Sequence, residues 1–113
     1  MIRVLASELK LDFEKMDGLI PVIVQDHADK TVLMVGFMSE SAWEKTRLTG
    51  LVTFWSRQRK SLWTKGETSG NVLKVRRVLV DCDDDTLLIE AEPHGPTCHT
   101  GERSCFYREV AGA

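Results

Sequence analysis

With 113 residues, 42% of them hydrophobic and 28% charged, the chain has the length of one ordinary domain and enough apolar material for a core. That excludes a disordered tail, a collagen-like fibre and a mini-protein dependent on disulfides. The net charge of -2 argues against a general polyanion binder, and the longest apolar run, Val32 to Met38, falls far short of the ~20 residues that span a bilayer. Arg3 and Glu8 interrupt the N-terminal apolar stretch, so no signal-peptide core forms and we expect one domain over 1-113, located in the cytosol. In that reducing compartment, three cysteines point to free, metal-bound or catalytic thiols.

In chain order, Leu19 to Val24 and Thr31 to Met38 have strand composition, and the turn-like Gln25 to Lys30 between them predicts a hairpin. Ser39 caps a predicted helix that runs to about Thr49, with Glu40 and Glu44 toward its positive end and Gly50 in the stopping position. Leu51 to Trp55 and Val72 to Val80 read as further strands, and in the second Val72, Lys74, Arg76, Val78 and Val80 alternate with the residues between them. Lys65 to Asn71, with two glycines and small hydroxyl residues, reads as an irregular loop. Thr86 to Ala91 is expected to pair with Val72 to Val80. The expected fold class is mainly β (α+β by looser counting): a compact mixed sheet or pseudo-barrel with one main helix.

The average charge hides a steep asymmetry. Seven basic residues (Arg57, Arg59, Lys60, Lys65, Lys74, Arg76, Arg77) stand against one acid, Glu67, between Arg57 and Arg77; Asp81 to Glu92 holds six acids and no base. The layout suggests a phosphate site beside a metal site, with a solvated charged surface as the plainer reading. At Asp81-Cys82-Asp83-Asp84-Asp85, an extended backbone would bring Asp81, Asp83 and Asp85 onto one face and turn Cys82 to the other. Converged carboxylates repel unless a cation neutralises them, and a hard ion such as Mg2+ takes oxygen ligands. An acidic surface turn is the alternative. An EF-hand is excluded, because Thr86 stands where that loop needs glycine and the flanks look like strands.

In Gly95-Pro96-Thr97-Cys98-His99-Thr100-Gly101-Glu102-Arg103-Ser104-Cys105, two thiols flank a glycine-containing turn, and soft thiolates favour Zn2+. Three cysteines cannot close a four-thiolate site within one chain, whereas three ligands plus water is the catalytic pattern. Small buried core cysteines are the alternative.

These segments carry a family resemblance. Thr49-Gly50, Trp55-Ser56-Arg57-Gln58-Arg59, Leu62 to Asn71, Asp81 to Leu88, Gly95 to Gly101 and Ser104-Cys105-Phe106 together resemble phosphoribosyl-AMP cyclohydrolases of histidine biosynthesis, over most of residues 18 to 107. The resemblance implies an intertwined homodimer that binds a small nucleotide, with one Zn2+ per subunit held by Cys98 and Cys105 of one chain and the Cys82 counterpart of the other. It also implies Mg2+ at Asp81, Asp83 and Asp85. Gln58 stands where serine is frequent, and Pro93-His94 replaces a segment that often carries Gln; neither departure touches a ligand. Some relatives carry a further phosphoribosyl-ATP pyrophosphatase domain, and with the sequence ending at Ala113 we expect the monofunctional form.

The implied reaction is hydrolytic opening of the adenine ring of 1-(5-phosphoribosyl)-AMP between N1 and C6. Zinc lowers the pKa of a bound water from 15.7 to about 7, which makes hydroxide available at neutral pH. His99 is the first candidate for proton transfer and His94 the second, although His99 can instead orient a ligand or contact zinc. Arg57, Arg59 and Lys65, beside Ser69-Gly70-Asn71, are candidates to hold the substrate phosphates. The alternative from another class is a zinc-stabilised nucleic-acid-binding module with Trp55 and Trp63 as stacking platforms; the acidic segment argues against it.

Overall fold

The computed structural model describes residues 1–113. Seven elements follow in order: β1 (Ile20–Asp26), β2 (Val32–Met38), α1 (Glu40–Thr49), β3 (Thr53–Ser56), β4 (Ser61–Thr64), β5 (Leu73–Val80) and β6 (Leu87–Pro93). The main sheet has the order β2-β1-β6-β5, and β3 and β4 form a separate two-stranded sheet. The result is an open mixed sheet with one helix, not a closed barrel. No helix is long and apolar enough to cross a membrane.

The β1–β2 pair is antiparallel, as the turn between them requires, and β5 and β6 likewise pair antiparallel. The central contact, β1 with β6, is parallel, running from Val22 opposite Leu87 to Asp26 opposite Ala91. In β1 every second residue is buried, so Ile20, Val22 and Val24 join the core and the fourth buried position falls on Asp26. The core continues through Leu33, Met38, Trp43, Phe54, Leu73, Leu87 and Ile89.

Ser39 caps α1 by accepting the Ala42 N–H at 3.1 Å, and Gly50 ends it in the left-handed conformation. Thr46, buried on the inner face, accepts the Thr53 N–H at 3.0 Å and lies 2.9 Å from its own helix's Ala42 carbonyl, which ties α1 to β3. From there Phe54 packs over β2 at Gly36, the one β2 position without a Cβ.

Three features depart from the sequence-based expectation. Ser61–Thr64 is a strand, paired with Thr53–Ser56 across the basic turn. The alternation expected from Val72 to Val80 breaks at a bulge between Val75 and Arg77, so Arg76 is the extra residue and the two faces exchange there. The stretch Asp81 to Asp85 is not extended: β5 ends at Val80, and the acids form the turn that reverses the chain into β6.

The segment after β6 is latched to the β1–β2 turn. Arg103 reaches Asp26 at 3.0 Å and Asp29 at 2.9 Å, Ser104 Oγ donates to the Val32 carbonyl at 2.7 Å, and the Cys105 N–H donates to the Leu33 carbonyl at 2.8 Å. The Thr31 N–H first, and then the Arg103 guanidinium, hold the Asp29 carboxyl down to about 2.

Two outcomes follow from this packing. A Cβ on Gly36 would stand 2.6 Å from the Phe54 ring, so Gly36→Ala should cost about 1–3 kcal/mol in urea unfolding; an unchanged midpoint would contradict the packing. Because the Asp29 pKa is lower folded than unfolded, its contribution is complete above the ordinary carboxylate value and is lost as pH falls toward 2. The stability gap between the wild type and Asp29→Asn should therefore hold from pH 7 to about 4 and close below it, as followed by thermal unfolding against pH.

Candidate active site

The turn between β5 and β6 folds around Asp81. Its Oδ1 accepts the N–H of Asp85 at 3.0 Å and of Thr86 at 3.2 Å, while Asp84 takes a left-handed conformation with φ 60° that completes the reversal. The carboxylates of Asp81, Asp83 and Asp85 thereby come within 4.8 Å of one another. The expected convergence is present, but a turn produces it and not strand alternation. Desolvation, with Asp85 and Asp83 adjoining, pushes the Asp81 carboxyl up; Asp85 is held down to about 2, chiefly by Lys15. Lys15 Nζ lies 3.0 Å from Asp83 and 2.9 Å from Asp85, a cation that no local sequence signal announced. Three hard oxygen donors at this spacing fit Mg2+.

The second donor set lies on the loop after β6. The N–H of Cys98 donates to the Glu102 carbonyl at 3.0 Å and that of Gly101 to the Cys98 carbonyl at 3.0 Å, closing a tight turn. Thr100 Oγ1 donates to Cys98 Sγ at 3.1 Å and is the chief cause that lowers the Cys98 pKa; the Cys105 thiol and Lys65 act in the same direction. Desolvation, joined by the Cys98 thiol, pushes Cys105 up. The two thiols of this interacting pair are thus shifted in opposite directions, and as soft donors they fit Zn2+. Immediately before it, the buried Thr97 hydroxyl has no partner in the chain, which costs about 1–3 kcal/mol at the edge of the loop.

Cys82 does not join this pair. It is exposed on the acidic turn, and the acidic triad is the only group of three or more His, Cys, Asp or Glu residues whose ligand atoms converge within 4.8 Å. The topology gives the reason: the acidic turn enters β6 and the thiol loop leaves it, so a strand of seven residues, about 20 Å, lies between them.

The loop Lys65 to Asn71 packs beside the thiol loop. A Cβ on Gly66 would strike the Asn71 backbone and one on Gly95 the Asn71 side chain, so Gly66 lets the loop close on itself and Gly95 lets the two loops meet. Ser69 Oγ accepts the Asn71 N–H at 3.2 Å within this loop. Lys65 is half-buried, and its charge favours both thiolates. Arg57 and Arg59 are on the β3–β4 turn, exposed; Arg57 stacks 4.2 Å above the Phe37 ring, and the Arg59 N–H donates to Ser56 Oγ at 3.1 Å. His99 is exposed beside Cys98, and His94 lies 3.3 Å from Glu92. Trp63 packs against Phe54 with ring centres 5.7 Å apart, so it is a packing residue and not a free stacking platform. Sequence reasoning missed Lys15, the Arg103 latch and the approach of the Asn71 side chain to Gly95. Only Gly66 and Gly95, which meet Asn71, carried a signal, since the other contacts join residues 68 or more positions apart.

Comparison with known proteins agrees with this layout. The family model described as phosphoribosyl-AMP cyclohydrolase matches residues 34–107. The chain is 56% identical over 105 residues to a phosphoribosyl-AMP cyclohydrolase of Desulfatibacillum aliphaticivorans, covering 92% of this chain and 84% of that one. It is 55% identical over 100 residues to the one of Lacticaseibacillus casei, covering 88% and 91%. It is also 56% identical over 98 residues to the histidine biosynthesis bifunctional protein HisIE of Bacteroides thetaiotaomicron, of which it spans about half, 48%. With both unlike donor sets inside the matched region, the chain belongs to the phosphoribosyl-AMP cyclohydrolase family, hydrolases of histidine biosynthesis.

Proposed function

We propose that the chain acts in the cytosol as a homodimer that hydrolyses 1-(5-phosphoribosyl)-AMP, opening its adenine ring between N1 and C6 to give the phosphoribosyl-formimino-aminoimidazole carboxamide ribotide. One observation carries the reading furthest: a soft thiol pair and a hard carboxylate triad, the latter bearing the third cysteine, stand at opposite ends of one strand. A second copy that brings its acidic turn to the thiol loop supplies Cys82 and its carboxylates together.

Cys98 and Cys105 of one chain with Cys82 of the other would hold Zn2+, and Asp81, Asp83 and Asp85 would hold Mg2+. Zinc supplies a water acidified toward neutrality, and magnesium supplies charge neutralisation for phosphate oxygens. His99, exposed next to Cys98, takes a proton from the attacking water and returns it to the departing N1. Water oxygen becomes the carboxamide oxygen at C6, the C6–N1 bond breaks, and both water protons remain on the product. Arg57, Arg59 and Lys65 hold the two phosphates, with the Ser69 loop alongside; the stack on Phe37 limits how far the Arg57 guanidinium strays. Lys65 in addition offsets the negative charge of the thiolates.

The direct test is turnover of phosphoribosyl-AMP, followed by loss of the adenine chromophore, on chelator-stripped protein given zinc and magnesium separately and together. Activity should vanish on stripping and return fully only with both ions. Full turnover without either, or none with both, would overturn the reading.

Cross-subunit ligation predicts complementation. Cys82→Ala and Cys98→Ala, each inactive, should recover roughly a quarter of wild-type activity when unfolded and refolded together, because half the dimers are mixed and each mixed dimer has one intact site. If all three ligands came from one chain, every site would keep a defect and nothing would return.

A further inference from the structure

We infer that Lys15 is the resident cation of the acidic turn and exchanges with the divalent ion, so that metal binding at Asp81, Asp83 and Asp85 is a displacement and not a simple addition. This rests on the reading of that turn as a magnesium site. The ammonium takes Asp83 Oδ2 at 3.0 Å and Asp85 Oδ2 at 2.9 Å, one oxygen of each of two carboxylates that converge with Asp81. Without a cation there, three carboxylates within 4.8 Å would repel one another, and Lys15 offsets part of that repulsion from inside the chain, at Asp83 and Asp85.

The contact is built by the segment that carries Lys15. The Asp12 N–H donates to the Asp84 carbonyl at 2.7 Å, the Gly18 N–H to the Phe13 carbonyl at 2.6 Å, and Leu9, Leu11 and Phe13 pack against the core. The segment is therefore tied to the turn at Asp12 and to the core at Leu9, Leu11 and Phe13, independently of the lysine side chain. The Lys15 side chain itself remains 48% exposed, on a flexible four-carbon stem, so it can swing into solvent without moving its anchor. A divalent ion seated on the same carboxylates repels the ammonium at short range, and its double charge and octahedral oxygen preference decide the competition. A monovalent ion has neither advantage over a tethered ammonium. Lys15 thus sets a threshold for magnesium and favours divalent over monovalent cations. Lys15 is carried by the segment before β1, so the device is brought to the turn by chain that precedes the sheet.

The test uses zinc-loaded dimer and titrates magnesium chloride calorimetrically into the wild type, Lys15→Met, Lys15→Gln and Lys15→Arg. Both neutral variants should bind magnesium roughly 3- to 10-fold more tightly, the size expected for losing two partly exposed ion pairs, and Lys15→Arg should stay near the wild type. In wild-type protein labelled with 15N-lysine, the Lys15 Nζ signal should move toward that of exposed lysines as magnesium saturates. Equal or weaker binding by the neutral variants, or an unmoved Nζ signal on saturated protein, overturns the inference while leaving the magnesium reading intact. No magnesium binding by any of the four proteins overturns both.

Discussion

The parallel pairing of β1 with β6 at the centre of the sheet decides where the chemistry sits. Parallel neighbours put like ends together. At one end, the segment before β1, with Lys15, meets the turn before β6, with its three carboxylates. At the other, the turn after β1, with Asp26 and Asp29, meets the loop after β6, with Cys98, Arg103 and Cys105. An antiparallel pairing of the same strands would exchange these neighbours and leave both donor sets without their supports. The Val22, Val24, Leu87 and Ile89 side chains that fill this contact are therefore as necessary to the placement of the thiols and carboxylates as the loops that bear them.

The same geometry explains the buried carboxylate at the end of β1. Alternation that delivers Ile20, Val22 and Val24 to the core delivers Asp26 next, and an unpaired carboxylate there would be costly. Arg103 resolves that cost, and because it belongs to the thiol loop, the interaction that neutralises Asp26 also positions Cys105 beside Leu33. Core formation and loop placement are one event at this point.

Local signals account for what the sequence made legible. The hairpin of β1 and β2, the Ser39 cap and Gly50 stop of α1, and the antiparallel β5–β6 pair are each written in a few adjacent residues. So were the clustering of Asp81, Asp83 and Asp85 and the meeting of Cys98 with Cys105, since residues of one loop are near in sequence. What stayed hidden was either long-range or against the local pattern. Ser61 to Thr64 has only four residues and follows a basic turn, too short to show a period. The bulge at Arg76 reverses an alternation that reads as continuous. The convergence of Asp81, Asp83 and Asp85 was anticipated for a reason the structure replaces: an Asx-type turn around Asp81 gathers them, so the result survived although its premise did not.

Separation of the donor sets by β6 has a chemical consequence. The thiols and the carboxylates of one chain are set at opposite ends of a seven-residue strand, about 20 Å long, so each group is held by its own surroundings. Each end has its own partner within the chain: Lys15 for the carboxylates, and for Cys98 the Thr100 hydroxyl with the Lys65 charge nearby. The third thiol, Cys82, has no such support and is exposed on the acidic turn. A cysteine of that kind makes little sense as a packing residue, because an exposed thiol buries no area. It stands on a turn whose shape is fixed by Asp81 and whose charge Lys15 offsets in part, at the opposite end of β6 from the thiol loop of its own chain.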